Sequence, residues 1–184
     1  FLSGSSNPNL SYQIANGYYP NHYPLSLEQI QIISHKFPNG ELRVQIPTSV
    51  RSKEVFLIQT GSQGINQDHV EYNLNDCAME FFLSLDALNR AGCQSITAII
   101  PNFFYARQDR KDEGRVPISS KMFCNFIENS RVDRIIALDL HSSQIQGFSN
   151  IPFHNVYSAG LVKKELEQHI YPDLSPEERR NNYI

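Results

Sequence analysis

The chain alternates short apolar runs with segments of helical periodicity. Three apolar runs have the length of strands, Glu54–Gln59, Ser95–Ile100 and Arg134–Asp139, and Phe1–Ser3 is a shorter strand candidate. Continuous apolar strands that alternate with helices are typical of a parallel sheet covered on both faces. The pattern therefore predicts a three-layer α/β fold.

Helical periodicity separates the predicted strands. The first helix begins at Asn75 or Asp76, whose side chain would cap it, and runs through Ala91, after which a glycine follows. Two more helices are predicted over Pro117–Asn129 and Ala159–Ile170. The side chains expected to face the core are Met79, Phe82, Leu83 and Leu88 in the first helix, Ile118, Met122, Phe123, Phe126 and Ile127 in the second, and Val162, Leu166 and Ile170 in the third.

The other segments are predicted as turns, loops and one hairpin. Alternating apolar residues in Ile30–Phe37 and Glu41–Ile46, with Pro-Asn-Gly between them, indicate a β-hairpin. Gly4–Pro8 reads as a turn, and Asn16–Pro24 and Ser62–Leu74 read as loops.

Composition narrows the class of protein. The 184 residues carry a net charge of −3 and are 40% hydrophobic, which excludes a disordered or fibrous chain. There is no basic excess to favour nucleic acid or an anionic membrane, and no apolar run approaches the roughly 20 residues of a membrane-spanning helix. The three cysteines, Cys77, Cys93 and Cys124, lack metal-site spacing, so we expect ordinary thiols in a reducing, cytoplasmic environment.

Two polar loops follow predicted strands directly. In parallel sheets, ligands bind beyond the carboxyl ends of the strands, so residues 102–115 and 139–148 could face one ligand. The first loop interleaves four basic residues, from Arg107 to Arg115, with acids and aromatic residues. Guanidinium groups pair with phosphate oxygens, and aromatic rings stack on planar bases. A solvated loop laced with salt bridges is the alternative, and composition alone favours it.

The second loop places Asp139 and His141 at the end of a buried strand. A carboxylate oxygen and an imidazole nitrogen can share a divalent ion whose other ligands are phosphate oxygens and water. A histidine that is simply hydrogen-bonded within a loop is an equally good interpretation. The hairpin tip with Phe37, Asn39 and Glu41 could reach a purine, although an ordinary turn is the better interpretation of the sequence alone. No P-loop, dinucleotide-binding or nucleophile-elbow motif is present.

Several segments, in this order and spacing, resemble the ribose-phosphate pyrophosphokinase (phosphoribosyl pyrophosphate synthetase) family. They are Phe1–Ser6, Phe37–Glu41, Ser49–Arg51, Met79–Glu80, Tyr105–Lys111, Arg115–Lys121 and Asp139–Pro152. The resemblance implies a type I phosphoribosyltransferase-like α/β fold. It also implies transfer of the pyrophosphoryl group of ATP to ribose 5-phosphate with Mg²⁺, giving phosphoribosyl pyrophosphate and AMP for nucleotide biosynthesis.

The resemblance also assigns roles by position. It implies ATP binding by Phe37, Asn39, Glu41, Arg107, Gln108, Asp109, Lys111 and Asp112, with the hairpin reaching ATP from a neighbouring subunit. His141 would bind the metal with Asp139 beside it. Ser49, Arg51, Ser143 and Gln146 match positions around a regulatory phosphate or ADP site. The expected assembly is a homo-oligomer in which dimers build a hexamer.

The resemblance predicts that residues 1–170 form an N-terminal ATP- and Mg²⁺-binding domain, and that 171–184 connect to a second domain absent from this chain. The catalytic cations and the ribose 5-phosphate site would lie there, so we expect the chain alone to be inactive. The family usually has Phe at the position of Ser149 and Asp at the position of His154, and it often has Asp at the position of Asn150. The departures at Ser149 and His154 motivate an alternative, a non-catalytic regulatory homologue that assembles with active subunits. A nucleotide-binding α/β module of another kind is a third interpretation.

Overall fold

The architecture is known from a computed structural model that describes residues 1–18, 30–170, 175, 177 and 178. Its elements, in chain order, are β1 (Leu2–Ser3), α1 (Pro8–Tyr18), β2 (Ile30–Gln31), β3 (Ile33–Lys36), β4 (Leu42–Gln45), β5 (Glu54–Ile58), β6 (Gly64–Ile65), β7 (Glu71–Tyr72), α2 (Leu74–Arg90), β8 (Ser95–Ile100), α3 (Ser119–Asn129), β9 (Arg134–Leu138), a 3₁₀ helix (Ser143–Phe148), β10 (Phe153–Val156) and α4 (Ala159–Glu165), which continues as a π-helical segment (Leu166–Ile170).

Six of the described strands form one parallel sheet in the order β10-β9-β8-β5-β1-β2. The order reverses between β1 and β5, and crossovers between parallel strands are right-handed, so α1 lies on one face and α2 and α3 lie on the other. Phe82 of α2 and Phe126 of α3 meet edge to face, with ring centroids 5.9 Å apart. The three-layer α/β prediction is therefore confirmed.

The predicted hairpin is present as β3 and β4, which pair antiparallel beside the main sheet and pack on α2. Ile30–Gln31, which was predicted as part of the hairpin, instead pairs with β1 in the main sheet. The predicted loop over Ser62–Leu74 contains a second small hairpin, β6 with β7. These strands are only two residues long, too short for periodicity to reveal them.

Helix α1 replaces the predicted loop at Asn16–Tyr18. The side chain of Asn7 accepts the N–H of Leu10 at 2.9 Å, and Pro8 occupies the first helical position. Both are standard helix-start signals, and the turn interpretation of Gly4–Pro8 overlooked them. The rest of the predicted loop and nearly all of residues 171–184 lie outside the described residues.

The N-cap of helix α2 lies before the predicted one, which was Asn75 or Asp76. Asn73 is the N-cap, and Asp76 is its reciprocal partner in a capping box, while Gly92 follows the helix with φ +74° as a C-terminal glycine does. The predicted core face is only partly right. Leu88 is buried, but Met79 is 53% exposed, and the face that packs inward consists of Cys77, Ala78, Glu80, Phe81, Ser84, Leu85 and Leu88.

The core face of α3 is also shifted from the prediction. Phe123 and Ile127 are buried as expected, whereas Met122 and Phe126 are nearly half exposed. The prediction that α4 is a helix is confirmed, but the expectation that its apolar side faces the core is wrong. Val162 is 53% exposed, and none of the side chains of Ala159–Glu165 is buried. None of the helices among the described residues has the length and apolarity needed to cross a bilayer.

Candidate functional site

The two polar strand-end loops line one cleft at the carboxyl edge of the sheet. It is an open cleft of about 620 Å³. The residues lining it are Gly61, Leu74, Asn102, Phe103, Tyr105, Ala106, Arg107, Gln108, Ser119, Asp139, Leu140 and His141. Because β8 and β9 are neighbours in the sheet, the beginnings of the two predicted loops, up to Gln108 and His141, face a common space as expected.

An aromatic cluster holds the first loop in place. Phe103 and Phe104 are 4% and 0% exposed, and both contact the ring of Phe123 in α3, with centroids 5.8 and 4.9 Å apart. Gly61 lets the loop approach β5 closely: its N–H donates to the carbonyl of Asn102 at 2.7 Å, and a Cβ there would lie 2.7 Å from the same oxygen. The start of the loop is therefore fixed, and its polar part extends into the cleft.

The start of α3 holds the next part of the loop. The hydroxyl of Ser119 donates to the side-chain carbonyl oxygen of Gln108. The main-chain carbonyl of Gln108 accepts the N–H of Ser120 at 3.2 Å and its hydroxyl at 3.0 Å. Arg107, the preceding residue, is exposed and lines the cleft.

Asp109 joins the first loop to the second. Its carboxylate accepts a hydrogen bond from the side-chain amide of Gln144 at 3.1 Å. Desolvation alone would raise the pKa of Asp109, but hydrogen bonds from Ser142 and Gln144 and the nearby His141 together lower it below its usual value. The two loops therefore form one hydrogen-bonded unit at neutral pH.

Asp139 and His141 lie at the far wall of the cleft. Asp139 has φ +43°, a strained value for a residue with a side chain, and its carboxylate accepts the N–H of Ser158 at 3.1 Å. Hydrogen bonds from the hydroxyl and N–H of Ser158 lower the pKa of Asp139, so this group is ionised at neutral pH. His141 is exposed beside it.

This donor set suits a metal that arrives with a ligand. Among the residues that the structure describes, no group of three or more His, Cys, Asp or Glu side chains is placed to hold an ion. Mg²⁺ commonly takes one or two protein ligands and completes its shell with phosphate oxygens and water. One imidazole and one carboxylate on a cleft wall fit that requirement, whereas a cation held by the protein alone would not be satisfied.

Six of the eight residues predicted to bind ATP are not among those that line the cleft. Asp109 faces the second loop, and Lys111 and Asp112 are exposed farther along the first. The hairpin residues Phe37, Asn39 and Glu41 are exposed at the tip of β3–β4, outside the cleft wall.

The tip has a defined turn. The N–H of Phe37 donates to the carbonyl of Glu41 at 2.8 Å, and the side-chain oxygen of Asn39 accepts the N–H of Glu41 at 3.1 Å. Within one chain, the hairpin and the cleft are thus separate features.

The four residues predicted for a regulatory site are divided between the two edges of the sheet. Ser49 and Arg51 precede β5 at its amino end and are exposed, whereas Ser143 and Gln146 belong to the 3₁₀ helix beyond the carboxyl end of β9. The Gln146 side chain is already engaged, accepting the N–H of Asn155 and donating to the carbonyl of Ser143, both at 3.1 Å. One chain does not bring these four residues together.

Three residues in the cleft wall lie outside both predicted loops: Gly61, Leu74 and Ser119. Ser119 carried a usable signal, since a serine at the start of a predicted helix often accepts or donates a local hydrogen bond. The contact of Gly61 with Asn102 is between distant parts of the chain and has no local sequence signal.

Comparison with known proteins relates this chain to one family. Residues 1–130 match the model of the N-terminal domain of ribose phosphate pyrophosphokinase. The chain is 42% identical over 166 residues to the ribose-phosphate pyrophosphokinase of Prochlorococcus marinus subsp. pastoris, covering 90% of this chain and 45% of the relative. It is 40% identical over 172 residues to that of Maricaulis maris, covering 94% and 50%.

A solved structure has the same fold. The phosphoribosylpyrophosphate synthetase of Mycobacterium smegmatis superposes with a TM-score of 0.77 at 32% identity, covering 94% of this chain and 53% of that one. The chain spans about half the length of the relatives it matches.

Proposed function

Because the chain belongs to the ribose-phosphate pyrophosphokinase family, we propose that its protein transfers the β,γ-pyrophosphoryl group of ATP to the 1-hydroxyl of ribose 5-phosphate. The bond between the α,β-bridging oxygen and the β-phosphorus breaks, and a bond from the sugar hydroxyl to that phosphorus forms. The hydroxyl proton is released, and the products are AMP and phosphoribosyl pyrophosphate for nucleotide biosynthesis. Family membership excludes an α/β module of another kind.

The observation that carries the proposal is the shared cleft of Arg107, Gln108 and His141. Transfer of a phosphoryl-type group depends mainly on positioning and on neutralising oxygen charge. Arg107 supplies a permanent positive charge with several N–H donors, and Gln108 supplies amide donors beside it. We propose that they bind the polyphosphate of ATP, together with Lys111 and Asp112, which are exposed farther along the same loop.

For the metal, we propose that His141 and Asp139 hold Mg²⁺ together with phosphate oxygens and water. When bound, Mg²⁺ would supply positive charge to the polyphosphate oxygens. The hydrogen bonds from Ser158 keep Asp139 ionised and oriented, and the link between Asp109 and Gln144 holds the His141 loop against the Arg107 loop. These residues thereby set the spacing between the metal ligand and the phosphate-binding cation.

A second domain would supply the rest of the site. We propose that it binds ribose 5-phosphate and contributes the catalytic cations, so that the described chain binds ATP and Mg²⁺ but is inactive alone. The chain spans about half of its relatives, which supports this division. The proposed location is the cytoplasm, and the three free cysteines support a reducing environment.

The separated features of the surface support a homo-oligomer, which we propose to be a hexamer built from dimers. Phe37, Asn39 and Glu41 lie on a well-formed turn outside the cleft of their own chain, so they would contact ATP in the cleft of a second copy. The opposite placement of Ser49 and Ser143 likewise means that a phosphate or ADP site containing both would need two copies.

The substitution Arg107→Ala tests the proposal. We expect Kd for ATP with Mg²⁺ to rise roughly 5- to 150-fold, because the loss of a charge-assisted contact weakens the binding free energy by about 1–3 kcal/mol. The control is Arg90→Ala, which removes an exposed guanidinium group that pairs with Asp86 at the C-terminal end of α2. Unchanged ATP affinity in Arg107→Ala, or failure of the unmodified full-length protein to bind ATP, would contradict the assignment.

A regulatory homologue without activity of its own is the second candidate. Ser149 and His154 motivate it, since they depart from the residues usual in the family. His154 lies in β10 opposite Ile136, two residues and thus roughly 7 Å before the carboxyl end of that strand. If these departures abolish catalysis, the purified full-length protein is inactive alone and His154→Asp raises its activity. Pyrophosphokinase activity of the unmodified protein alone would exclude this candidate.

A further inference from the structure

The start of α3 lacks the side-chain cap that helices usually have. Its N-cap is Ile118, which has no polar side chain to accept the free N–H groups of the first turn. The main-chain carbonyl of Gln108 takes that place, because it accepts the N–H of Ser120 at 3.2 Å. The cleft loop and the helix start therefore depend on each other.

The two serines at this junction hold different parts of Gln108. The fully buried Ser120 donates its hydroxyl to the main-chain carbonyl, at 3.0 Å. Ser119, which is 8% exposed and lines the cleft, donates its hydroxyl to the side-chain carbonyl oxygen. Ser120 thus fixes the position of the residue, and Ser119 fixes the rotation of its amide group.

From this arrangement we propose that Ser119 is a positioning residue for ATP, acting through Gln108. With its carbonyl oxygen held by Ser119, the Gln108 amide can turn only its NH₂ group towards the cleft. Two N–H donors then face the bound ligand, and no acceptor competes with them. Phosphate oxygens are acceptors, so this orientation favours the polyphosphate over ligand groups that donate hydrogen bonds.

The proposal explains why a residue outside the polar loops belongs to the cleft wall. Without the Ser119 hydroxyl, the amide is free to rotate by 180° and present its oxygen to the phosphate oxygens, which repel it. The guanidinium of the neighbouring Arg107 does not depend on this hydrogen bond. Loss of Ser119 should therefore remove the Gln108 contribution and leave the Arg107 contribution in place.

A double-mutant cycle on the full-length protein tests this inference, which rests on the proposed function. The variants are Ser119→Ala, Gln108→Ala and the double substitution, and the measurement is Kd for ATP with Mg²⁺ by calorimetry. We expect Ser119→Ala to weaken binding roughly 3- to 10-fold, the range for one hydrogen bond. Because Ser119 acts through Gln108, the double variant should bind no more weakly than Gln108→Ala alone.

Two further variants separate positioning from folding. Ser119→Thr keeps the hydroxyl and should restore binding to within about 2-fold of the unmodified protein. Ser120→Ala removes a fully buried hydroxyl from the main-chain carbonyl, so it should lower the melting temperature more than Ser119→Ala does.

The outcomes distinguish the two levels of the argument. If the unmodified protein does not bind ATP, the proposed function fails. If it binds ATP and Gln108→Ala weakens binding, but Ser119→Ala has no effect or adds to Gln108→Ala in full, the positioning role of Ser119 is overturned and the proposed function stands.

Discussion

The carboxylate of Asp109 accepts a hydrogen bond from the side-chain amide of Gln144 at 3.1 Å. This contact joins the loop after β8 to the 3₁₀ helix after β9, across a separation of 35 residues in the chain. It gives the cleft two walls that are fixed to each other as well as to the sheet. The distance between Arg107 and His141 is therefore set by polar contacts within the loops and by the spacing of two neighbouring strands.

The pKa of Asp109 predicts how this link responds to acid. Since its pKa is lowered in the folded protein, the link is intact at neutral pH and is lost only as the pH falls through that lowered value, below the ordinary pKa of an aspartate. In an NMR titration, the side-chain NH₂ signals of Gln144 should shift in that range, and Asp109→Asn should abolish the shift. Gln13, exposed on α1, provides a control amide. A transition centred above the ordinary pKa of Asp would contradict the prediction.

The position of His141 predicts an effect on metal use. His141→Ala should raise the Mg²⁺ concentration needed for half-maximal ATP binding by roughly tenfold or more, since weakening of a metal shell typically costs that much. The measurement is a Mg²⁺ titration at fixed ATP concentration with the full-length protein. His169→Ala is the matched control, because His169 is an exposed histidine paired with Glu165 in the π-helical segment. An unaltered Mg²⁺ dependence in His141→Ala would remove His141 from the metal site.

The parts of this cleft that were predictable come from local patterns combined with one rule of sheet geometry. Strands β5, β8 and β9 are continuous apolar runs, and the carboxyl ends of parallel strands share an edge. Those two facts were enough to bring Arg107 and His141 to one cleft. The hairpin could also be predicted, because its turn residues and its alternation agree.

The errors arose where more than one helix face is apolar or where a buried residue is polar. Helix α2 has Met79 and Phe82 on one side and Phe81 and Leu85 on another, so periodicity alone did not select the core face. The inward face also includes Glu80, which a binary pattern assigns to solvent. Only the tertiary structure reveals its partners, Ser5 and Gln59, which follow the ends of β1 and β5.

Glu80 predicts a stability effect that its charge alone would not suggest. Its carboxylate is fully buried and accepts the N–H of Ser5 at 2.9 Å, the hydroxyl of Ser5 at 2.7 Å and the side-chain amide of Gln59 at 2.7 Å. Glu80→Gln places a donor against these donors. Gln59 cannot rotate to compensate, because its own oxygen accepts the hydroxyl of Ser6 at 2.8 Å.

We therefore expect Glu80→Gln to lower the free energy of unfolding by about 1–3 kcal/mol, the cost of buried polar groups left unsatisfied. Urea denaturation monitored by circular dichroism measures it. Asp86→Asn on the same helix is the control: its pair with Arg90 is exposed, so the change should stay within about 0.5 kcal/mol. Equal effects of the two substitutions would show that the buried network contributes nothing.

The last prediction concerns the aromatic cluster that holds the first cleft loop in place. Phe104 is fully buried, stacks on Phe123 with centroids 4.9 Å apart and lies near the start of the loop that contains Arg107. Phe104→Ala should cost about 3–5 kcal/mol of stability through lost burial and the cavity left behind. Phe126→Ala, which removes a ring that is 47% exposed, should cost no more than about 1.5 kcal/mol. Because Phe104 also fixes the loop, Phe104→Ala should weaken ATP binding even at temperatures where the variant is fully folded. Phe126→Ala should leave ATP binding unchanged. If Phe104→Ala lowers stability but leaves ATP affinity unchanged, the aromatic cluster supports the core without positioning the loop.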